Sequence, residues 1–318
     1  MRISRILKTQ ILRRRHPLSL GLGALLTLAV ISALFPAYSE GYAHPEMLVE
    51  TEWLAERLND PSVRIVDLRS AEAYAEGHIP NAVHVDQGRL RNSEDRLLYV
   101  PPPDQFAALM SELGIGDHTR VVAYDDVGGQ AAARLWFLLD YYGHTACSLL
   151  NGGWRKWVKE GRPVTREVPH VERAEFRIRT NPPTICTAPE VARKLRADAV
   201  IILDARSPEE YRGERVLGAR AGHIPGALNL EWRMNLTEGD VPVFKSAAEL
   251  RRLYESLGIT PDKEVITYCQ GGGRAAHTLF VLRLLGYTKS RAYYGSWQDW
   301  STRDDLPIEK PKSPERPR

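Results

Sequence analysis

Short apolar runs rich in β-branched residues alternate with amphipathic stretches along most of this 318-residue chain. Four runs are typical of strands buried on both faces of a parallel sheet, at residues 63–66, 121–124, 200–203 and 265–268. After Gly273, apolar side chains recur at helical spacing, at Ala276, Leu279, Phe280 and Leu284. Because strands alternate with helices, the pattern predicts an α/β fold built on parallel sheets with helices on both faces.

The same pattern occurs twice in the chain. Four blocks recur in the same order at an offset of about 140 residues: 65–70 as 202–207, 77–82 as 222–227, 121–124 as 265–268, and 152–157 as 295–300. A repeat of this length indicates two copies of a whole domain. We therefore predict tandem domains with a proline-containing linker between them and a flexible tail, at residues 44–165, 166–183, 184–310 and 311–318.

The basic excess of the sequence belongs to its first 39 residues. This segment has a basic stretch ending in three arginines, an apolar run at 18–35, and small residues before position 40. The order predicts a signal peptide over residues 1–39 and a periplasmic or secreted protein. An uncleaved membrane anchor facing the periplasm is the alternative, because the run is near the minimum spanning length. Outside the segment acidic residues outnumber basic ones, so no nucleic-acid partner is expected.

The chain has three cysteines, Cys147, Cys186 and Cys269. Three cysteines in a chain of this length do not make a disulfide framework, and no pair has metal-ligand spacing, so we expect no metal site. Cys147 lies in an apolar run typical of a strand, and Cys186 follows the linker prolines. Both are interpreted as buried structural residues.

Cys269 has different surroundings. It follows a predicted strand and begins a turn that leads into a helix, with the sequence Cys269, Gln270, Gly271, Gly272, Gly273 and Arg274. Consecutive glycines allow several backbone N–H groups to converge at a helix N-terminus, and Arg274 adds positive charge, so the turn favours a thiolate. In the first copy Asp125 stands opposite Cys269, and Gln130 opposite Arg274.

These residues resemble the rhodanese family, in particular the bacterial two-domain thiosulfate sulfurtransferases. The resemblance covers about residues 48–307, and four segments carry it: 204–206, 222–227, the turn at Cys269, and 295–300. It implies tandem rhodanese-like domains, of which the first is inactive and the second catalytic. Asp125 agrees with that arrangement, because a carboxylate cannot accept a sulfane sulfur.

The resemblance also implies a mechanism in two displacement steps. The Cys269 thiolate takes the outer sulfur of thiosulfate as a persulfide, and cyanide or a thiol removes it, so ping-pong kinetics are expected. The N–H groups of Gln270 to Gly273 would stabilise the anionic sulfur, and Arg274 would hold the loop or attract the donor. No cofactor is required. His78, His223 and three tryptophans (Trp232, Trp297, Trp300) are interpreted mainly as structural, although the segments of Trp232 and Trp297 are expected near the pocket wall.

Two positions depart from the best-known thiosulfate enzymes of animals. Gln270 stands where those enzymes have a basic residue after the cysteine. Glu210 stands where they have a substrate-binding arginine before a tyrosine. Three arginines nearby are candidates to substitute for it: Arg212, Arg215 and Arg220. The reaction type is therefore predicted more securely than the donor.

Three other functions are compatible with a reactive cysteine loop. The small uncharged interior of the loop also suits 3-mercaptopyruvate as donor. A sulfur carrier would deliver the persulfide to a protein partner. A cysteine phosphatase is disfavoured, because its loop has five residues between Cys and Arg, and here there are four. The predicted partners are a small anionic sulfur donor, a cyanide, thiol or protein acceptor, and a membrane only through the N-terminal segment.

Overall fold

The computed structural model describes residues 41–92 and 99–310. The predicted signal or anchor segment and the predicted tail lie outside the described residues. The described residues belong to one compact unit. Among the residues that the structure describes, no helix is both long enough and apolar enough to cross a membrane.

The first half of this unit contains a five-stranded parallel sheet. Its strands are β1 (Leu48–Val49), β2 (Val63–Asp67), β3 (Ala82–His84), β4 (Arg120–Tyr124) and β5 (Cys147–Leu150). Its helices are α1 (Thr51–Ala55), α2 (Ala71–Glu76), α3 (Pro103–Glu112), α4 (Gln130–Tyr141) and α5 (Gly153–Lys159). The strand order is β1-β5-β4-β2-β3 and all pairs are parallel. The crossover connections this requires are the helices that the sequence pattern predicts.

The second half repeats the arrangement with a four-stranded sheet. Its strands are β6 (Val200–Asp204), β7 (Leu228–Asn229), β8 (Glu264–Tyr268) and β9 (Ser290–Ala292). Its helices are α6 (Ala188–Lys194), α7 (Pro208–Arg212), α8 (Ala247–Glu255), α9 (Gly273–Leu284) and α10 (Ser296–Trp300). The order β7-β6-β8-β9 is parallel throughout. The predicted α/β fold with two parallel sheets is confirmed.

Each half contains the same buried ion pair, at the carboxyl end of a central strand. In the first half Arg69 donates to Asp67 at 2.6 Å and to the Gly77 carbonyl at 2.7 Å. In the second half Arg206 makes the same 2.6 Å contact with Asp204. A buried ion pair is stable only where its remaining donors also form hydrogen bonds. The glycine carbonyl of the Gly-His-Ile-Pro block accepts one of them, so the Asp-x-Arg block and that block recur together.

Helices α4 and α9 pack against each other and join the two halves. Trp136 of α4 meets Phe280 of α9 edge to face, with ring centroids 5.2 Å apart. Phe137 of α4 stacks on Tyr294, which precedes α10, at 4.7 Å. Because α9 follows the Cys269 turn directly, this seam brings the N-terminal end of α4 beside that turn.

The predicted linker segment contains no strand, and its only helical turn is a short 3-10 helix at Pro182–Thr184. It nevertheless packs on the first half, because Phe176 is buried and its ring lies 5.7 Å from that of Phe106. The linker is therefore an extended segment that is anchored by aromatic packing.

Candidate active site at Cys269

Cys269 lies at the carboxyl end of β8, a central strand of its sheet, and directly before α9. This is where open α/β sheets place their functional groups. The side chain is only 1% exposed. Gly272 has a φ of +87°, and a Cβ there would lie 2.6 Å from the Tyr294 ring. Only glycine meets both conditions, so the turn requires this residue at this position.

Ser296 contacts Cys269 through its hydroxyl group. The Cys269 backbone N–H donates to Ser296 Oγ at 3.1 Å. The Ser296 hydroxyl lies 2.9 Å from the Tyr293 carbonyl and 3.9 Å from Cys269 Sγ, so its proton can go to either acceptor. Ser296 also has a left-handed φ of +56°, which is unfavourable for a residue with a side chain. Ser296 was not predicted, although the first copy has Gly153 at the aligned position.

The equivalent turn of the first half holds an anion of its own. The Asp125 carboxylate accepts four backbone N–H bonds of 2.7–3.1 Å, from Val127, Gly129, Ala131 and Ala132. Burial raises the pKa of Asp125, and the four N–H donors oppose that rise. The repeat places Gly271, Gly273, Ala275 and Ala276 at the corresponding positions of the second half. By this alignment we expect donors for the Cys269 sulfur in the first turn of the helix as well, beyond the predicted Gln270 to Gly273.

Arg274 forms a bidentate ion pair with Glu210 of α7. The two N–O distances are 2.6 and 2.8 Å, and Glu210 is only 2% exposed. Burial lowers the pKa of Arg274, but the bonds to Glu210 and the charge of Cys269 raise it further, so the net shift is upward. Of the two predicted roles for Arg274, this geometry favours holding the loop, because its charge is neutralised by Glu210.

Gln270 is held by its side chain and by its backbone. Its side-chain Nε2 donates to the Leu217 carbonyl at 3.2 Å, and its backbone carbonyl accepts from the Gln298 N–H at 2.9 Å. The Gly271 carbonyl accepts a 3.2 Å bond from Arg134 of the first half. The predicted loop residues are thus held by three surrounding segments, one of them in the other half.

The tryptophans singled out in the sequence are buried. Arg206 lies over the Trp297 ring at 4.6 Å, and Trp297 Nε1 donates to the Arg220 carbonyl. Trp300 Nε1 donates to the Pro307 carbonyl at 2.8 Å. Trp232 lies edge to face with His277, with ring centroids 5.0 Å apart. All three pack within the second half or at the seam.

The two histidines of the Gly-His-Ile-Pro blocks have matching structural contacts. His78 stacks on Tyr74 with ring centroids 3.8 Å apart, and its Nδ1 lies 2.9 Å from the Tyr74 carbonyl. His223 repeats this with Tyr211, at 3.7 and 2.8 Å. These contacts fix the turn before a strand.

The other two cysteines are buried, and neither is directly followed by a glycine turn. Cys147 begins β5, and Cys186 donates its backbone N–H to the Ala292 carbonyl. Burial raises the pKa of the Cys186 thiol to about 12 and that of the Cys147 thiol beyond this. Both thiols are therefore protonated at neutral pH and poor nucleophiles.

Comparison with known proteins identifies relatives over most of the chain. Residues 50–160 and 187–303 each match the rhodanese-like domain family. The sulfur carrier protein TtuD of Thermus thermophilus is 41% identical over 285 residues, covering 85% of this chain and 99% of that protein. A thiosulfate sulfurtransferase of Azotobacter vinelandii is 38% identical over 271 residues, with coverage of 85% and 99%. A 3-mercaptopyruvate sulfurtransferase of Escherichia coli is 32% identical over 278 residues, with coverage of 83% and 98%.

Solved structures agree with these relatives. The 3-mercaptopyruvate sulfotransferase SseA of Escherichia coli is 30% identical, with a TM-score of 0.72 over 79% of this chain and 98% of that one. An anaerobic ergothioneine biosynthesis enzyme of Chlorobium limicola is 26% identical, with a TM-score of 0.76 and coverage of 84% and 71%.

Proposed function

This chain belongs to the rhodanese family of sulfurtransferases, and we propose that Cys269 is the nucleophile through which it transfers sulfur. The Cys269 thiolate attacks the outer sulfur of the donor. In thiosulfate the S–S bond then breaks, and sulfite leaves with the bonding electrons. Cys269 keeps the sulfur as a persulfide until cyanide or a thiol attacks the outer sulfur and releases the thiolate.

One observation carries this proposal. The turn of the first half already holds the Asp125 carboxylate with four backbone N–H groups. The second half also has a strand, a glycine-rich turn and a helix, with Cys269 in place of Asp125, although α9 begins one aligned position earlier than α4. A site that binds a carboxylate through fixed N–H donors suits an anionic thiolate or persulfide equally well.

Thiosulfate is the donor that we propose. Relatives named thiosulfate sulfurtransferase support it, and a relative named 3-mercaptopyruvate sulfurtransferase supports the alternative. Side-by-side kinetics with both donors, on protein lacking residues 1–39, test the choice. We expect sulfite release and a higher kcat/KM with thiosulfate. Turnover of mercaptopyruvate without sulfite release from thiosulfate would assign the alternative donor.

A sulfur carrier is the second candidate function, because the relative that is 41% identical is named as one. A carrier would form the same persulfide and pass it to a protein. Pre-formed persulfide should then move slowly to cyanide and faster to the acceptor protein. Rapid multiple turnover with cyanide would favour the enzyme.

We also propose export to the periplasm or beyond, on the order of basic, apolar and small residues in positions 1–39. The test is N-terminal sequencing of the mature protein after cell fractionation. A new N-terminus near residue 40 in the soluble exported fraction is expected. An intact N-terminus in the membrane fraction would assign the anchor alternative.

A further inference from the structure

The second half supplies little unpaired positive charge to the loop at Cys269. Arg274 is neutralised by Glu210, and Gln270 is uncharged. Two of the nearby arginines are also engaged elsewhere: Arg212 pairs with Glu214, and Arg220 donates to backbone carbonyls between Trp300 and Leu306. A small anionic donor nevertheless has to approach a thiolate of the same sign, which requires compensating cations.

The first half supplies one such cation directly at the loop. Arg134 of α4 is 1% exposed, and it donates to the Gly271 carbonyl at 3.2 Å and to Tyr294 Oη at 3.0 Å. A Cβ on Gly273 would lie 2.6 Å from Arg134 Nη2, so the guanidinium touches the start of α9.

Arg134 has no balancing carboxylate in the described part of the chain. Within residues 41–92 and 99–310, no Asp or Glu lies within ion-pair distance of it, and its buried Nε has no hydrogen-bond partner. A buried cation without a counter-ion is costly, and a nearby anion removes that cost. The loop that Arg134 contacts through Gly271 carries Cys269 two residues earlier.

Arg91 adds a second cation from the same half. It follows the 3-10 helix Gln87–Leu90 and is exposed, so it can meet a molecule that arrives from solvent. The 3-10 helix before Arg91 packs on α4, the helix that carries Arg134. The positive charge of Arg134 and burial lower the pKa of Arg91, and the charges of Tyr294 and Cys269 oppose that shift. Its neighbour Arg89 instead pairs with Glu112 at 2.8 Å.

We propose that Arg91 and Arg134 of the non-catalytic half form the anion-recognition site for the sulfur donor. Arg134 is a positioning residue that fixes the loop through Gly271. Arg91 meets the charged group of the donor, the sulfonate of a thiosulfate-like molecule or the carboxylate of a mercapto acid. The inference rests on the proposed function and adds that the first half, which has Asp125 in place of the cysteine, determines the affinity for the donor.

The first experiment compares Arg91→Gln with Arg89→Gln as the matched control, using the donor that the wild-type protein turns over. Loss of one charge-assisted contact should raise the KM of Arg91→Gln about tenfold, with a smaller change in kcat. The dependence of kcat/KM on ionic strength should also become weaker, because a steering charge is lost. Arg89→Gln should behave as the wild type.

Arg215→Gln tests the alternative that an arginine of the second half binds the donor. Arg215 is exposed and close in sequence to Leu217, which Gln270 contacts. Equal kinetics of the Arg91 and Arg89 variants, or a rise in KM confined to Arg215→Gln, would overturn the inference. Absence of turnover by the wild-type protein with either donor would contradict the proposed function instead.

The second experiment tests Arg134 with Arg134→Lys and Arg134→Met, after circular dichroism has established that each variant is folded. Lysine keeps the charge and one bond, so it should restore part of the rate of persulfide formation that methionine loses. Equal rates in the two folded variants would contradict a role for the charge.

Discussion

Cys269 is distinguished from the other cysteines by the contacts around it. Cys147 and Cys186 are buried in apolar surroundings that keep them protonated. Cys269 combines a strand end, a helix start and the Ser296 hydroxyl at 3.9 Å. The residue identity is the same in all three cases, so the proposed reactivity comes from the local backbone.

Glu210→Gln tests whether the ion pair to Arg274 holds the loop. Gln keeps one bond but leaves the Arg274 charge without a counter-ion. We expect unfolding free energy to fall by about 1–3 kcal/mol and kcat to decrease. Urea unfolding and steady-state kinetics measure both. The neighbouring exposed Glu209→Gln is the control, and equal behaviour of the two variants would contradict a role for the pair.

Cys269 and the glycine turn were predicted from the sequence, because the two repeats differ at the position of the cysteine, and they remain predictions. The sequence did not identify Ser296 or Arg134. Ser296 is separated from Cys269 by 27 residues, and Arg134 reaches Gly271 across 137 residues. No periodic pattern connects residues that far apart, so only the packing of the two halves reveals them.

At the scale of elements, α4 and α9 both follow a glycine turn at the end of a strand, and the two turns hold different side chains, Asp125 and Cys269. The bounds of β2, β4, β6 and β8 were predicted within one residue. Strands buried on both faces have continuous apolar sequences, which makes them easy to recognise. Helix α9 was predicted from one apolar face, but it is buried around most of its surface. The sequence could not show this, because the additional contact comes from α4.

Asp125→Ala tests the carboxylate at the start of α4. It leaves four backbone N–H groups without their acceptor, so we expect a loss of unfolding free energy of about 3 kcal/mol. Added sulfate should restore part of the stability by entering the empty turn. Chemical unfolding with and without sulfate measures this, with Asp126→Ala as control. An unchanged midpoint for Asp125→Ala would refute the account of this turn.

At the scale of the whole molecule, the two halves share one seam in which a histidine is buried. His277 of α9 stacks on Phe244, and its Nε2 lies 3.1 Å from the Gly128 carbonyl of the first half. Burial lowers the pKa of His277 to about 3, and the bond to Gly128 opposes that shift. The halves therefore pack around a neutral imidazole.

This seam predicts an acid-sensitive fold. The pKa of His277 is about 3 in the folded state and about 6.5 when unfolded, so only the unfolded chain gains a proton between these values. The contribution of His277 to the free energy of unfolding is fully present above pH 6.5, and about 2 kcal/mol of it is lost at pH 5. His277→Phe should flatten the dependence of Tm on pH, and the exposed His118→Gln should leave it unchanged. Equal slopes for wild type and His277→Phe would contradict this.

The mass of the protein after reaction with thiosulfate tests most directly whether Cys269 is the nucleophile. We predict that the protein gains the mass of one sulfur atom and that cyanide reverses the gain. The gain should be absent in Cys269→Ser and retained when Cys147 and Cys186 are both replaced by serine. A sulfur gain that persists in Cys269→Ser, or that disappears only when Cys147 or Cys186 is replaced, would contradict the assignment of Cys269 as the nucleophile.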